Sequence, residues 1–265
     1  MFRRFFLLPP AFRRRARRTR FITMLAVLLV TLAFVTPFYI IYKPPNLLIR
    51  YFQSRWPDVL WHVPLKQKVI ALTIDDAPSQ FTQEIVDLLK EHDAKATFFI
   101  IGAQVPGREE TLKYMVQNGM ELANHAMHDE PSRSLSPQQL SSQLTQVESY
   151  INTTYTSLSL TRPQNRYFRP GSGFFSKAMR EQVRGMGYQM VLGSVYPHDP
   201  QIPYAGVNAR HVLSMVRPGS IVVCHDRRGW TVGMLRTVLG ELGRRGYRVT
   251  TVSGLLEARR NEVGT

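Results

Sequence analysis

Asp75-Asp76, Asn124-His125, Arg169, His198-Asp199 and His225-Asp226 are the residues of this chain whose types could do chemistry together. Each follows a short apolar run. Two adjacent carboxylates at the end of such a run are costly to bury without a cation or strong hydrogen-bond donors. A metal ion and Arg169 together would supply both. One aspartate and two further ligands leave an open coordination position for water, as catalytic zinc sites do. The other aspartate could take a proton from that water, whose pKa a metal lowers from about 15.7 to about 7. A histidine on the opposite side could then protonate a departing amine. That chemistry is metal-assisted hydrolysis of an amide or ester. Singly, each residue has a plainer explanation, since aspartates after strands are often turn residues or helix N-caps. A histidine there is more often packed than ligating. Five such coincidences at successive run ends favour a site.

The elements that must position these residues alternate. Val69–Ile74, Thr97–Ile101, Met120–Ala123, Tyr167–Arg169, Tyr188–Leu192, Ile221–Cys224 and Tyr247–Val252 read as buried strands. Between the first two, Ile85, Leu88 and Leu89 have helical spacing. Ser136-Pro137-Gln138-Gln139 is a capping box with proline at the first helical position. It opens a helix with a stripe of Leu140, Leu144, Val147 and Ile151. Another helix starts near Thr231, with Met234, Leu235, Val238, Leu239 and Leu242 facing inward. Strands alternating with helices imply a parallel sheet covered by helices, and seven strands suit a closed or nearly closed barrel. Such barrels place chemistry at the carboxyl ends of their strands.

Charge is uneven along the chain. The formal net charge is +15, and residues 1–20 carry eight arginines and no acid. Phe21 to Tyr42 then contains no charged side chain. Its length at 1.5 Å per residue is about 33 Å, enough for a hydrocarbon core of about 30 Å. The arginines place residues 1–20 in the cytoplasm as a basic tail and the rest beyond the membrane, on the lumenal or cell-surface side. A cleaved signal peptide is the alternative. The apolar run is longer than a usual signal core, and no clear small-residue cleavage site follows it. A nucleic-acid role is not indicated, because topology alone requires such a tail. Residues 43–66, mixed and rich in proline and aromatics, read as a stalk and entry segment, and 67–260 as the catalytic domain. Cys224 is the single cysteine, so no internal disulfide forms, and Asn152-Thr153-Thr154 is a glycosylation triplet.

Four segments carry a resemblance: Thr73-Ile74-Asp75-Asp76-Ala77, Asn124-His125-Ala126-Met127-His128-Asp129, Arg169-Pro170-Gly171-Ser172-Gly173 and Val223-Cys224-His225-Asp226. Their order and spacing resemble the polysaccharide deacetylases, the NodB-homology or carbohydrate esterase 4 group that includes chitin deacetylases. The resemblance spans roughly 68–257. It implies a distorted (β/α)7 barrel, here preceded by one transmembrane helix. It also implies a divalent cation, zinc before cobalt or manganese, and an N-acetylated polysaccharide as substrate. Asp75 matches the catalytic base, Asp76 and His125 match metal ligands, and Arg169 matches the arginine that orients the base. His225 matches the general acid, and Asp199 lies where the family places its supporting carboxylate. The backbone N–H near Ser172 falls where the family binds the oxyanion, and Tyr196 and Trp230 are expected beside it on the sugar.

Several positions depart from the pattern. The second metal histidine would fall at Asp129, with His128 one residue early. Aspartate binds zinc through oxygen at about 2.0–2.2 Å, so Asp129 is the expected third ligand. The added negative charge favours harder ions. Ala77 replaces a glycine, and Gly171-Ser172 replaces a proline and an aromatic residue. Those two changes lie on the sugar-facing wall. A barrel that binds sugar without turnover, or an O-acetyl esterase, would share these motifs.

Overall fold

The computed structural model describes residues 10–264. The chain divides into two units, Met1–Pro45 and Asn46–Thr265. In the first, helix α1 (Pro10–Tyr42) contains the expected span. Its stretch Arg17–Tyr42 is long and apolar enough to cross a membrane, and none of it is buried. Arg3 and Arg4 of the basic tail lie outside the described residues.

The second unit is built on one sheet of parallel strands: β1 (Val59–Leu60), β2 (Val69–Ala77), β3 (Ala96–Ile100), β4 (Glu121–Asn124), β5 (Arg166–Phe168), β6 (Tyr188–Val191), β7 (Ile221–His225) and β8 (Arg248–Thr250). Their order is β1-β6-β5-β4-β3-β2-β7, with β8 on β2. Bridges from His62, beyond β1, to Ser220 and from Val195, beyond β6, to Val222 of β7 bring the two ends of this path together. The result is the distorted (β/α)7 barrel. β8 pairs with Val69–Ala71 of β2, and β3 takes over that edge at Leu72. Every residue of β2 is buried, because it has neighbours on both edges and on both faces.

Strand alternation sorts its side chains. Ile70, Leu72 and Ile74 join the core beneath the helices, whereas Val69 and Ala71 meet Phe99 and Tyr167 in the barrel interior. The same period of two turns Thr73 and Asp75 inward.

The helices are α2 (Asn46–Arg55), α3 (Thr82–Glu91), α4 (Glu109–Gln117), α5 (Pro137–Ser157), α6 (Lys177–Gly185), α7 (Ala205–Met215), α8 (Thr231–Arg244) and α9 (Val252–Val263). The capping box of α5 forms, Gln139 N donating to Ser136 Oγ at 3.3 Å and Ser136 N donating to Gln139 Oε1 at 2.9 Å. The stripes of α5 and α8 are buried as their spacing requires.

Three expectations change. From Asn46 on, the segment expected as a stalk folds onto the barrel instead: Val59 pairs with Met190, and Ile49 is buried. Its aromatics are the reason. Phe52 and Trp61 lie 4.9 Å apart, and Trp56 meets Phe175 edge-on at 5.2 Å, so the composition of a linker is that of a small core. The last strand is shorter than its apolar run, because Thr251 caps α9 by accepting from Gly254 N at 3.0 Å. The glycosylation triplet lies within α5, with Thr154 buried and Asn152 Oδ1 accepting from Arg162 at 2.7 Å. A helix in which the Thr154 hydroxyl donates to Tyr150 O at 2.9 Å is not the surface loop that such a triplet implies.

Candidate active site

Asp75 and His225 are cross-strand partners in register on β2 and β7. Paired positions of neighbouring strands project to one face, so two groups 150 residues apart in sequence arrive side by side. Each has its own partner. Arg169, just past β5, bonds Asp75 Oδ1 through Nη1, and the same nitrogen donates to Thr73 Oγ1 at 2.9 Å. Arg169 Nε donates to Val191 O at 3.1 Å, and the guanidinium lies 4.1 Å from the Phe99 ring centroid. Three anchors and a stacking face fix its plane, which leaves Asp75 Oδ2 free of Arg169. Burial pushes the Arg169 pKa down, and the Asp75 charge opposes this.

His225 is held from the other side. Its Nδ1 lies 3.0 Å from Asp199 Oδ1, and its backbone N donates to Asp199 Oδ2 at 2.8 Å. Asp199 is fully buried, and Trp230 Nε1 donates to its carbonyl at 2.9 Å. Burial lowers the His225 pKa, but the bond and charge of Asp199, with Asp75 and Asp76 beyond it, outweigh burial and raise it. The proton therefore sits on Nδ1 toward Asp199, and Nε2 is left as the reactive nitrogen. Tyr196 packs its ring 5.8 Å from that of His225.

His125 and Asp76 make the third group. His125 Nδ1 donates to Arg169 O at 2.7 Å, because a carbonyl can only accept. In the neutral ring the lone pair is therefore on Nε2, which faces Asp76 Oδ1 at 3.8 Å and Asp75 Oδ2 at 4.0 Å. A backbone-fixed imidazole with its free nitrogen turned to two carboxylates has the chemistry of a divalent-cation site. The charges agree. Burial raises the Asp76 pKa, and His125 and His225 oppose it while Asp129 and Asp75 add to it. The nearest guanidinium to Asp76 is that of Arg228, at 3.6 Å. A cation between Asp76 and His125 would relieve that burial. Asp129 and His128 are both exposed, and among the described residues no three His, Cys, Asp or Glu side chains are grouped so as to hold a metal ion. The 127–130 turn is pinned by Gln143: its Oε1 accepts from Met127 N at 2.9 Å and its Nε2 donates to Glu130 Oε1 at 2.8 Å.

The polysaccharide deacetylase family profile matches residues 62–191. A peptidoglycan-N-acetylglucosamine deacetylase of Bacillus cereus is 33% identical over 204 residues, covering 75% of this chain and 92% of that protein. The chain belongs to the polysaccharide deacetylase family. A chitooligosaccharide deacetylase of Sinorhizobium fredii is 33% identical over 158 residues, which is 59% of this chain and 71% of that one. Among solved structures, the peptidoglycan deacetylase PdaC of Bacillus subtilis superposes with a TM-score of 0.67 at 29% identity, over 74% of this chain and 93% of that one. A carbohydrate esterase 4 pseudoenzyme of Bacillus anthracis superposes equally well, with a TM-score of 0.67 at 26% identity over 75% and 68% of the two chains.

The departures of this deacetylase-family chain have local explanations. Ala77 is accommodated because the left-handed residue of that turn is Asp76, at φ 62°, and the Ala77 methyl is buried in the core. Gly171 has no such freedom. A Cβ there would stand 2.1 Å from Glu130 O, and its N–H is committed to Ser132 Oγ, to which it donates at 2.8 Å. Ser172 is exposed with φ 61° at the mouth, and Phe174 beside it is 67% exposed. Asp226 serves the fold, accepting from Ser79 Oγ at 2.6 Å and from the Thr82 hydroxyl, and so ties β7 to the start of α3. His198 meets the rings of Tyr196 at 4.6 Å and His211 at 5.8 Å, both edge-on.

Sequence reasoning missed Thr73, Gln143 and Arg228. Thr73 was legible, because alternation puts it on the Asp75 face. Arg228 lies three residues past His225 in the loop that leaves β7, and only the fold turns it onto Asp76.

Proposed function

We propose that the chain is a metal-dependent hydrolase that removes N-acetyl groups from polysaccharide containing N-acetylglucosamine. The observation that carries this is the register of Asp75 with His225, each held by a partner of its own, beside the free nitrogen of His125. Asp76 and His125 would hold a divalent cation, zinc before cobalt or manganese, with Asp129 as third ligand. That ion supplies polarisation of the acetyl carbonyl and a lowered pKa for water.

The chain's own residues do the rest. Asp75 Oδ2 takes the proton of the attacking water, while Arg169 fixes Oδ1. The N–H of Ser172 donates to the oxyanion of the tetrahedral intermediate. His225 Nε2 gives its proton to the departing amine, and Asp199 keeps the ring oriented. Tyr196, Trp230 and the mouth around Ser172 bear on the sugar. In the cell, α1 spans the membrane with its basic tail in the cytoplasm, and the barrel works on extracytoplasmic glycan.

The test is acetate release by residues 46–265 from N-acetylglucosamine oligomers and from peptidoglycan. It is run as purified, after chelation, and after zinc, cobalt or manganese is returned, with O-acetylated xylan as the ester control. Chelation should abolish release, metal should restore it, and His225→Ala should cripple it. Asp129→Ala should weaken metal binding by calorimetry, and His128→Ala should not. A folded protein that binds the oligomers and releases nothing with any metal would make it a sugar-binding barrel without turnover.

A further inference from the structure

Helix α2 carries a surface that the catalytic reading does not use. Its inner face is Leu48, Ile49, Phe52 and Gln53, packed on the barrel, and its outer stripe is Leu47, Arg50, Tyr51, Ser54 and Arg55. The spacing i, i+3, i+4, i+7, i+8 makes that stripe one continuous face. Leu47 is 78% and Tyr51 56% exposed, and the two lie on the same face one turn apart. No acid occurs between Lys43 and Pro57, and neither Arg50 nor Arg55 pairs with a carboxylate among the described residues. A third arginine joins them from far away in sequence. Arg217, in the connection that enters β7, lies near enough to Arg50 for the two like charges to disfavour each other, on top of its burial. Like charges gathered beside apolar side chains, without acids, fit an anionic and greasy surface.

Connectivity names that surface. Only Lys43, Pro44 and Pro45 separate the end of α1 from Asn46. Four Cα steps reach at most about 14 Å. If α1 crosses a bilayer, as proposed above, the start of α2 cannot leave the headgroup region.

We propose that the Leu47–Arg55 stripe, with Arg217 beside it, docks on the phospholipid headgroups of the outer leaflet. Leu47 and Tyr51 enter the interface, and the arginines meet phosphate. The barrel is then held against the membrane rather than swinging on a tether.

The test uses the full chain in phosphatidylglycerol nanodiscs with spin-labelled headgroups. A bimane probe is attached through Ser54→Cys on the stripe or, as control, through Glu110→Cys on α4. Native Cys224 is buried and stays unlabelled. Quenching is expected at position 54 and not at 110, and the added set L47S, R50Q, Y51S and R55Q should bring 54 down to the level of 110. Each arginine near an anionic surface is worth about fivefold in binding, so R50Q with R55Q should weaken vesicle binding of residues 46–265 about 25-fold. If alkaline carbonate extracts the full chain from bilayers, the span fails and the docking face with it. If the chain resists extraction while position 54 is quenched no more than 110, the span stands and the docking face is overturned.

Discussion

Asp199→Asn isolates the electrostatic setting of the proposed acid. The substitution keeps the size of the side chain and an oxygen facing His225 Nδ1, which lies 3.0 Å from Asp199 Oδ1, but removes the charge. Burial, which lowers the His225 pKa, is then opposed only by the charges of Asp75 and Asp76, without the bond and charge of Asp199. A carboxylate at hydrogen-bond distance changes a histidine pKa by about one to three, equal to about 1.4–4 kcal/mol. A general acid must be protonated, so the wild-type rate is lost as pH rises through a value above about 6.5. In the variant that alkaline limb moves down by the same one to three. Acetate release at pH 8 should fall by about tenfold to a thousandfold, and much less at pH 5.5. Stability carries the same sign. A histidine whose folded pKa is raised contributes stability that is full below about pH 6.5 and lost above its folded value. The melting temperatures of wild type and variant should therefore differ more at pH 5.5 than at pH 9. A rate reduced by one constant factor at every pH, with the alkaline limb unmoved, would refute Asp199 as the group that sets His225.

Further outcomes follow from two buried contacts. Arg169→Ala leaves Asp75 buried without its partner, and should cost about 3–5 kcal/mol in urea denaturation and abolish acetate release. Arg169→Lys keeps the charge but not the fork to Thr73 and Val191, and should recover stability well before activity. Gly171→Ala drives a Cβ into Glu130 O, and should cost about 1–3 kcal/mol and weaken metal binding by displacing the 127–130 turn. Unchanged metal affinity in a folded Gly171→Ala protein would show that the turn does not carry a ligand.

The sequence by itself determined the alternating strands and helices, the capping box of α5 and the helical stripes, because burial imprints periods of 2 and 3.6 on side-chain types. It also located the titratable groups at the strand ends, since a polar pair after an apolar run stands out without a structure. Only the tertiary structure decided who faces whom. Register placed Asp75 against His225, and the Arg169 carbonyl fixed the tautomer of His125. A backbone contact at Glu130 made Gly171 necessary, and the loop after β7 brought Arg228 to Asp76. The aromatic segment before β2 became barrel wall rather than stalk for the same reason. Each of these rests on a contact between residues distant in sequence, and local pattern records what a residue prefers to bury, not the partner it meets when buried.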